Sequence, residues 1–211
     1  NPVTVGQPIP GLQIRLGDME ELQVKGPTVM KGYWKRPDAT AEVFTEDGWF
    51  KTGDQADLSD AGRIRIKGRI KEIIVTSTGE KIPPTDMELA IQTDPLFEQV
   101  MVVGEARPFI TALAVVNEAE WEKFAKEFNV DPTDERMLMR RDIRMAALKR
   151  LKKAASRFPQ YGIPRNIRLL KEHWTVDNGC LTVTMKLRRP IIREKLRAEI
   201  DELYTVPQNN V

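Results

Sequence analysis

The run Trp49-Phe50-Lys51-Thr52-Gly53-Asp54 reads as a strand entering a tight glycine turn that leaves a carboxylate at its tip. The two oxygens of such a carboxylate match the paired hydroxyls of a vicinal diol such as a ribose, although a turn aspartate serves equally well as a local acceptor. Fifteen residues later Arg69, next to Gly68, supplies a forked cation suited to hydroxyl or phosphate oxygens or to a plain surface ion pair. The polar stretch Thr76-Ser77-Thr78-Gly79-Glu80-Lys81 looks like a cradle. It lacks the Gly-x4-Gly-Lys-Ser/Thr spacing through which backbone N–H groups wrap phosphates, so it is not a phosphate loop of that kind. Near the other end, Asn178-Gly179-Cys180-Leu181-Thr182-Val183-Thr184-Met185-Lys186 sets a single lysine after a short, hydroxyl-rich, β-prone run. Lys186 is either a solvated turn residue or a point charge offered to a carboxylate or phosphate.

Those residues need elements to hold them, and the hydrophobic pattern supplies candidates. Leu12, Ile14 and Leu16 alternate with polar neighbours, as do Leu22 and Val24 across the turn at Gly17-Asp18, which predicts short paired strands. Asp47-Gly48 marks another turn, and Ile64 and Ile66 share one face of a strand that Gly68 interrupts. Beyond Gly68 the pattern becomes mixed. Ile73-Ile74-Val75 predicts a strand, and Thr85-Asp86-Met87-Glu88, following Pro83-Pro84, reads as a capping box opening a helix that Asp94-Pro95 ends. Residues 100–103 and 111–116 read as buried strands. A second capping box, Asn117 to Glu120, opens a helix running towards Phe128. Ile143, Ala147, Leu151, Ala154 and Phe158 fall on one stripe of an amphipathic helix. A strand is expected at 167–170, a turn at Asp177-Asn178-Gly179, and a helix after Pro190 with the stripe Ile192, Leu196, Ile200 and Leu203.

Bulk properties narrow the classes. The 211 residues, 41% hydrophobic, suffice for one or two small cores. With 33 Lys+Arg against 31 Asp+Glu, the net +2 gives no general affinity for polyanions. The single Cys180 forbids an intrachain disulfide and, with the single His173, cannot make a four-ligand zinc site; no metal site and a reducing, cytoplasmic setting are expected. The most apolar stretch, residues 109–116, is far below the roughly 18 residues of a membrane span. Residues 1–7 lack the basic start and apolar segment of a signal peptide and suggest a piece of a longer chain. Residues 140–157 carry eight Lys/Arg and one acid, Asp142. That admits a rival reading, a module lying peripherally on an anionic membrane surface. Nucleic acid is not expected, because no aromatics are interleaved for base stacking. Phe124, Phe128, Met137, Met139, His173 and Trp174 read as packing residues.

The joint pattern is more specific than its parts. Leu22-Gln23-Val24-Lys25-Gly26-Pro27 through Gly32-Tyr33-Trp34 and Thr40-Ala41-Glu42; Gly48 to Asp54; Gly68-Arg69-Ile70-Lys71-Glu72-Ile73-Ile74 through Gly79-Glu80-Lys81-Ile82-Pro83-Pro84 and Glu88; and Leu181-Thr182 to Lys186 follow one another across nearly the whole chain. In this the sequence resembles the carboxyl-terminal part of adenylate-forming enzymes, and is most similar to AMP-forming long-chain acyl-CoA synthetases. The resemblance implies an α+β fold. Residues 1–68 would be the last β-rich subdomain of the family's large domain, and residues 69–211 its mobile C-terminal domain. It implies a ligase in which a fatty acid carboxylate attacks the α-phosphate of Mg-ATP to give acyl-AMP, from which the CoA thiol displaces AMP. Asp54 would bind the ribose hydroxyls, with Arg69 helping to hold the sugar. Lys71 would be the hinge between the two half-reactions, the loop holding Gly79 would approach the CoA channel, and Lys186 would contact carboxylate and phosphate oxygens during adenylation. Two departures stand out: Glu20 where the family usually has Gly, and Val183 where Pro is common. The family's Ser/Thr/Gly-rich phosphate loop and its aromatic-Gly-x-Thr-Glu segment are not in this sequence, so the chain alone is expected to be inactive. A transfer of the acyl group to a carrier-protein thiol instead of CoA is the alternative within the same superfamily.

Overall fold

Four antiparallel strands in sequence order build the amino-terminal sheet of the computed structural model, which describes residues 4–60 and 62–205. They are β1 (Gln13–Leu16), β2 (Glu21–Lys25), β3 (Phe50–Asp60) and β4 (Arg63–Arg69), and a short helix, α1 (Pro37–Val43), lies between β2 and β3 in sequence. The alternation read from the sequence is what the sheet uses. Ile14 faces Val24 and Leu16 faces Leu22 across the β1–β2 pair, and Ile14, Leu22, Val24, Ala56, Leu58, Ile64 and Ile66 gather into one small core. Gly68 does not interrupt β4. The strand runs on to Arg69, because glycine takes φ 151° there and a bulge absorbs the irregularity.

The chain divides into two compact units, Asn1–Ile73 and Ile74–Val211. The second unit contains a two-stranded hairpin, β5 (Ile74–Val75) with β6 (Lys81–Ile82), and a three-stranded sheet. In that sheet β7 (Phe97–Val103) pairs antiparallel with β8 (Thr111–Val116), and β8 pairs parallel with β9 (Asn166–Leu170). The helices are α2 (Pro84–Ile91), α3 (Glu118–Glu127), α4 (Arg141–Ala154), α5 (Arg189–Lys195) and α6 (Arg197–Thr205). All six residues of β8 are buried, as a strand covered on both faces requires. Val100, Val102, Ala112, Ala114, Ile167 and Leu169 face a core with Met87, Trp121, Ile143 and Leu151 from α2, α3 and α4. Met101, Val103, Leu113 and Val115 face the opposite core with Ile192, Ile200 and Leu203 from α5 and α6. The period of two sorts each strand between these layers.

Several local expectations change on contact with the tertiary structure. The Thr85 capping box does not form. The helix α2 starts at Pro84 with Pro83 at its cap, where prolines leave fewer N–H groups to satisfy, and Glu88 is drawn elsewhere. The Asn117 box does form, its side chain accepting from the Glu120 N–H. Helix α4 ends at Ala154, so Phe158 packs on the core from beyond the helix. The expected carboxyl-terminal helix is two segments divided at Leu196 (φ −109°, ψ 28°), with Leu196 still packed on the same core as Ile192, Ile200 and Leu203. His173 is not a packing residue: its ring is partly exposed and lies 3.2 Å from Glu98, whereas Trp174 is buried.

Three of the eight cations over 140–157 are tied down, Arg140 to Asp142, Arg144 to Asn166 and Arg150 to Asp94, leaving Arg141, Lys149, Lys152, Lys153 and Arg157 exposed, the last with its guanidinium over the Phe158 ring. The Arg150 fork holds both Asp94 oxygens at 2.9 and 2.6 Å. Burial pushes the Asp94 carboxyl up, yet the hydrogen bonds from Arg150 and the Leu96 N–H outweigh it and hold the group below the usual carboxylate range. A lowered value in the folded state means stability that is present above the ordinary carboxylate range and lost as pH falls through the lowered value. Asp94→Asn is therefore expected to cost about 1–2 kcal/mol at neutral pH, with the difference shrinking in acid, as thermal melts of both proteins across pH would show. A difference that stays constant down through that acid range would contradict this.

Candidate functional site

Two steps along β2, from Glu21 to Gln23, correspond to four along β3, from Gln55 back to Lys51. Thr52-Gly53-Asp54, three residues opposite the single Leu22, form a bulge. Gly53 takes φ +73°, a conformation that glycine adopts without the strain a side chain would bring. The bulge is held from two sides: the Thr52 hydroxyl donates to the Leu22 carbonyl and accepts from the Asp54 N–H, and the Gly53 N–H donates to Glu21. Asp54 thus sits within a strand that continues to Asp60, and not at the tip of a turn as the sequence suggested.

A second irregularity lies opposite. Gln55 pairs with Gly68 but Ala56 pairs with Ile66, so β4 carries an extra residue at Lys67. With both offsets in place Asp54 and Arg69 become register partners, and Arg69 Nε donates to Asp54 Oδ1 at 2.8 Å. Their side chains are 27% and 55% exposed, so the pair faces solvent while its backbone belongs to the sheet. A carboxylate beside a guanidinium can take a diol as a bidentate guest, each hydroxyl donating to the acid and accepting from the base. Sequence reasoning singled out both residues but missed Glu21 and Thr52, which shape the bulge; the hydroxyl immediately before Gly53 was the available signal.

Glu20 now has an explanation as a departure. Its backbone lies at φ 59°, next to Met19 at φ 55°, in the left-handed region where glycine is unstrained. Its carboxylate is engaged by Lys67 Nζ at 2.9 Å and by the Gln55 amide at 3.3 Å. Lys71 lies in a single 3₁₀ turn, Ile70–Glu72, closed by the Ile73 N–H on the Ile70 carbonyl. It is exposed and two residues from the end of the amino-terminal unit.

The other two candidates belong to the carboxyl-terminal unit, on separate loops. Gly79 sits at φ +84° in the β5–β6 loop, with open space where a Cβ would stand. The loop closes on the buried Thr76, whose N–H and carbonyl pair with Glu80 and Gly79 and whose hydroxyl accepts from the Glu80 N–H. Lys186 sits in a tight turn between the bridged residues Leu181 and Leu187. The turn is fixed by Thr182: its N–H donates to the Lys186 carbonyl, its carbonyl accepts from Met185, and its hydroxyl accepts from the Lys186 N–H at 3.1 Å. The lysine side chain is exposed. Val183 at the tip is 86% exposed, a position where a proline would meet no packing obstacle. Among the described residues no three His, Cys, Asp or Glu side chains gather, and no helix is long and apolar enough to cross a membrane.

In chain order, a four-stranded antiparallel unit carrying the Asp54–Arg69 pair precedes a mixed α+β unit carrying the Lys186 turn. Residues 71–207 match the family model described as AMP-binding enzyme C-terminal domain, and the chain belongs to that family. It is 38% identical over 209 residues to the long-chain-fatty-acid–CoA ligase FadD15 of Mycobacterium tuberculosis, covering 95% of this chain and 34% of that one. It is 31% identical to the chloroplastic long-chain-fatty-acid–[acyl-carrier-protein] ligase AEE15 of Arabidopsis thaliana, covering 96% of this chain and 29% of that one. Among solved structures, the adenylation domain of a carboxylate reductase from Mycobacterium chelonae superposes with a TM-score of 0.76 at 26% identity, covering 95% of this chain and 32% of that one. The chain spans about a third of the length of the curated relatives it matches.

Proposed function

We propose that this chain is the carboxyl-terminal third of an AMP-forming long-chain fatty-acid–CoA ligase, residues 1–73 completing its large domain and residues 74–211 forming its mobile one, the boundary falling after Ile73 and not after Gly68 because Arg69 belongs to the sheet that holds Asp54. The observation that carries the reading is the 38% identity to a ligase of that name over 95% of the chain. In the reaction, a fatty acid carboxylate oxygen attacks the α-phosphorus of ATP and pyrophosphate leaves. The CoA sulfur then attacks the acyl carbonyl, its proton is lost and AMP leaves.

The parts borne by this chain have distinct tasks. Asp54 and Arg69 bind the ribose hydroxyls and so fix the α-phosphate. Lys186 neutralises charge where two anions must meet, a task that electrostatics makes decisive in a closed site. Lys71 is the hinge residue between the half-reactions, and the Gly79 loop, lacking a side chain at its tip, leaves room for the pantetheine arm of CoA. Magnesium would enter with the triphosphate and offset its charge.

The test is a pyrophosphate-release and thioester assay on the full-length ligase and on this chain alone. The full-length protein should release pyrophosphate with fatty acid and ATP and pass the acyl group to CoA, while the chain alone should be silent. Turnover by the isolated chain in a preparation free of host ligase would sink the reading. Transfer to a carrier-protein thiol in preference to CoA would instead favour a long-chain-fatty-acid–[acyl-carrier-protein] ligase, the activity for which AEE15 is named. Lys71→Pro, which fixes φ and removes an N–H at the proposed pivot, is expected to slow thioester formation more than adenylation. Equal loss of both, with an unchanged melt, would place the hinge elsewhere.

A further inference from the structure

The turn that carries Lys186 is exposed at its tip, Val183 at 86% and Met185 at 67%, and is anchored at its ends. On one side Cys180 and Leu181 are buried in the core beneath α5 and α6. On the other, the chain passes through Leu187 to Arg189, three residues beyond the lysine and the first residue of α5. The Arg189 guanidinium turns inward and forks onto Glu88 of α2, Nη1 to Oε1 at 2.6 Å and Nη2 to Oε2 at 2.7 Å. The two side chains are only 15% and 7% exposed. Oε1 of Glu88 also accepts from the Val102 N–H of β7 at 2.8 Å. One buried carboxylate therefore joins α2, the central sheet and the start of α5, across 101 residues of sequence.

A buried ion pair is weak evidence of stabilisation, because desolvation offsets most of the attraction. Direction is what a two-pronged fork adds: parallel bonds fix the guanidinium plane and with it the backbone that enters Arg189. We infer that Glu88 and Arg189 are positioning residues that aim the Lys186 turn, an inference that rests on reading Lys186 as the adenylation lysine. The mobile end of a four-carbon stem multiplies any tilt of its base, and a displacement of about 1 Å at a reacting group can cost on the order of a hundredfold.

In the full-length ligase, Glu88→Gln retains the size of the side chain and an acceptor for the Val102 N–H but loses the charged fork. Adenylation is expected to fall by about ten- to a hundredfold, while thioester formation from supplied acyl-AMP stays within about twofold. Placed on Lys186→Ala, the same change should slow adenylation by less than about twofold further, since no ammonium remains to be aimed. A role confined to folding would slow both half-reactions and add in full to Lys186→Ala, and that result overturns the inference. Arg189→Lys keeps the charge without the fork and should show the same pattern in milder form; it carries the comparison if circular dichroism shows Glu88→Gln to be partly unfolded. If Lys186→Ala alone leaves adenylation intact, the assignment of Lys186 fails. If Lys186→Ala slows adenylation and neither clamp variant does, only the positioning role fails.

Discussion

Replacing Lys186 by alanine in the full-length ligase is expected to slow acyl-adenylate formation by about two to three decades, a loss of about 3–4 kcal/mol from one charged transition-state contact. The carboxylate and the triphosphate are both anionic, so the encounter that forms acyl-AMP requires a cation at the meeting point. The lysine is well suited to this. Its turn is closed by Thr182 hydrogen bonds, which fix the backbone while leaving the side chain exposed. Once acyl-AMP has formed and pyrophosphate has gone, the remaining step breaks an acyl–phosphate bond under attack by a thiol and needs no lysine between two anions. Thioester formation from preformed acyl-AMP should therefore survive. Two assays on one variant decide the matter, fatty acid with ATP in the first and acyl-AMP with CoA in the second. A parallel fall in both, with the fold intact, would remove Lys186 from the adenylation step.

Asp54→Ala is expected to impair ATP use by about one to three decades, at about 1–2 kcal/mol for each hydroxyl bonded to a charged acceptor. The substitution has a second consequence that the sheet makes visible. Arg69 loses the acceptor at 2.8 Å that holds its guanidinium over the bulge, so part of the loss comes through Arg69. Asp54→Asn separates the two effects, since an amide keeps one acceptor for Arg69 while weakening the match to a diol. The catalytic efficiency for ATP should fall with either variant and the apparent affinity for CoA much less. An unchanged efficiency for ATP would dissociate Asp54 from the nucleotide. The backbone is expected to tolerate both changes, because Thr52, Gly53 and Glu21 hold the bulge without the Asp54 side chain.

Sequence spacing by itself determined the periodic parts of this protein. Alternating Ile14, Leu22 and Val24 produced strands, the unbroken apolar run at 112–116 produced a strand buried on both faces, and Asn117 produced a true helix cap, because each signal is read over a few residues of backbone. The motif around Gly53 and Asp54 was also legible as chemistry, although its shape was not. Whether Gly53 ends a strand or bulges it depends on how many residues β2 offers opposite, and the pairing of Asp54 with Arg69 depends on a second offset in β4. Glu88 shows the same division. Its spacing from Thr85 satisfied a capping rule, yet the carboxylate went to Arg189, 101 residues away, and to the Val102 N–H. Only the tertiary structure could decide these cases, since strand register and buried charge pairing are settled by which surfaces pack together, a non-local choice that no short window of sequence contains.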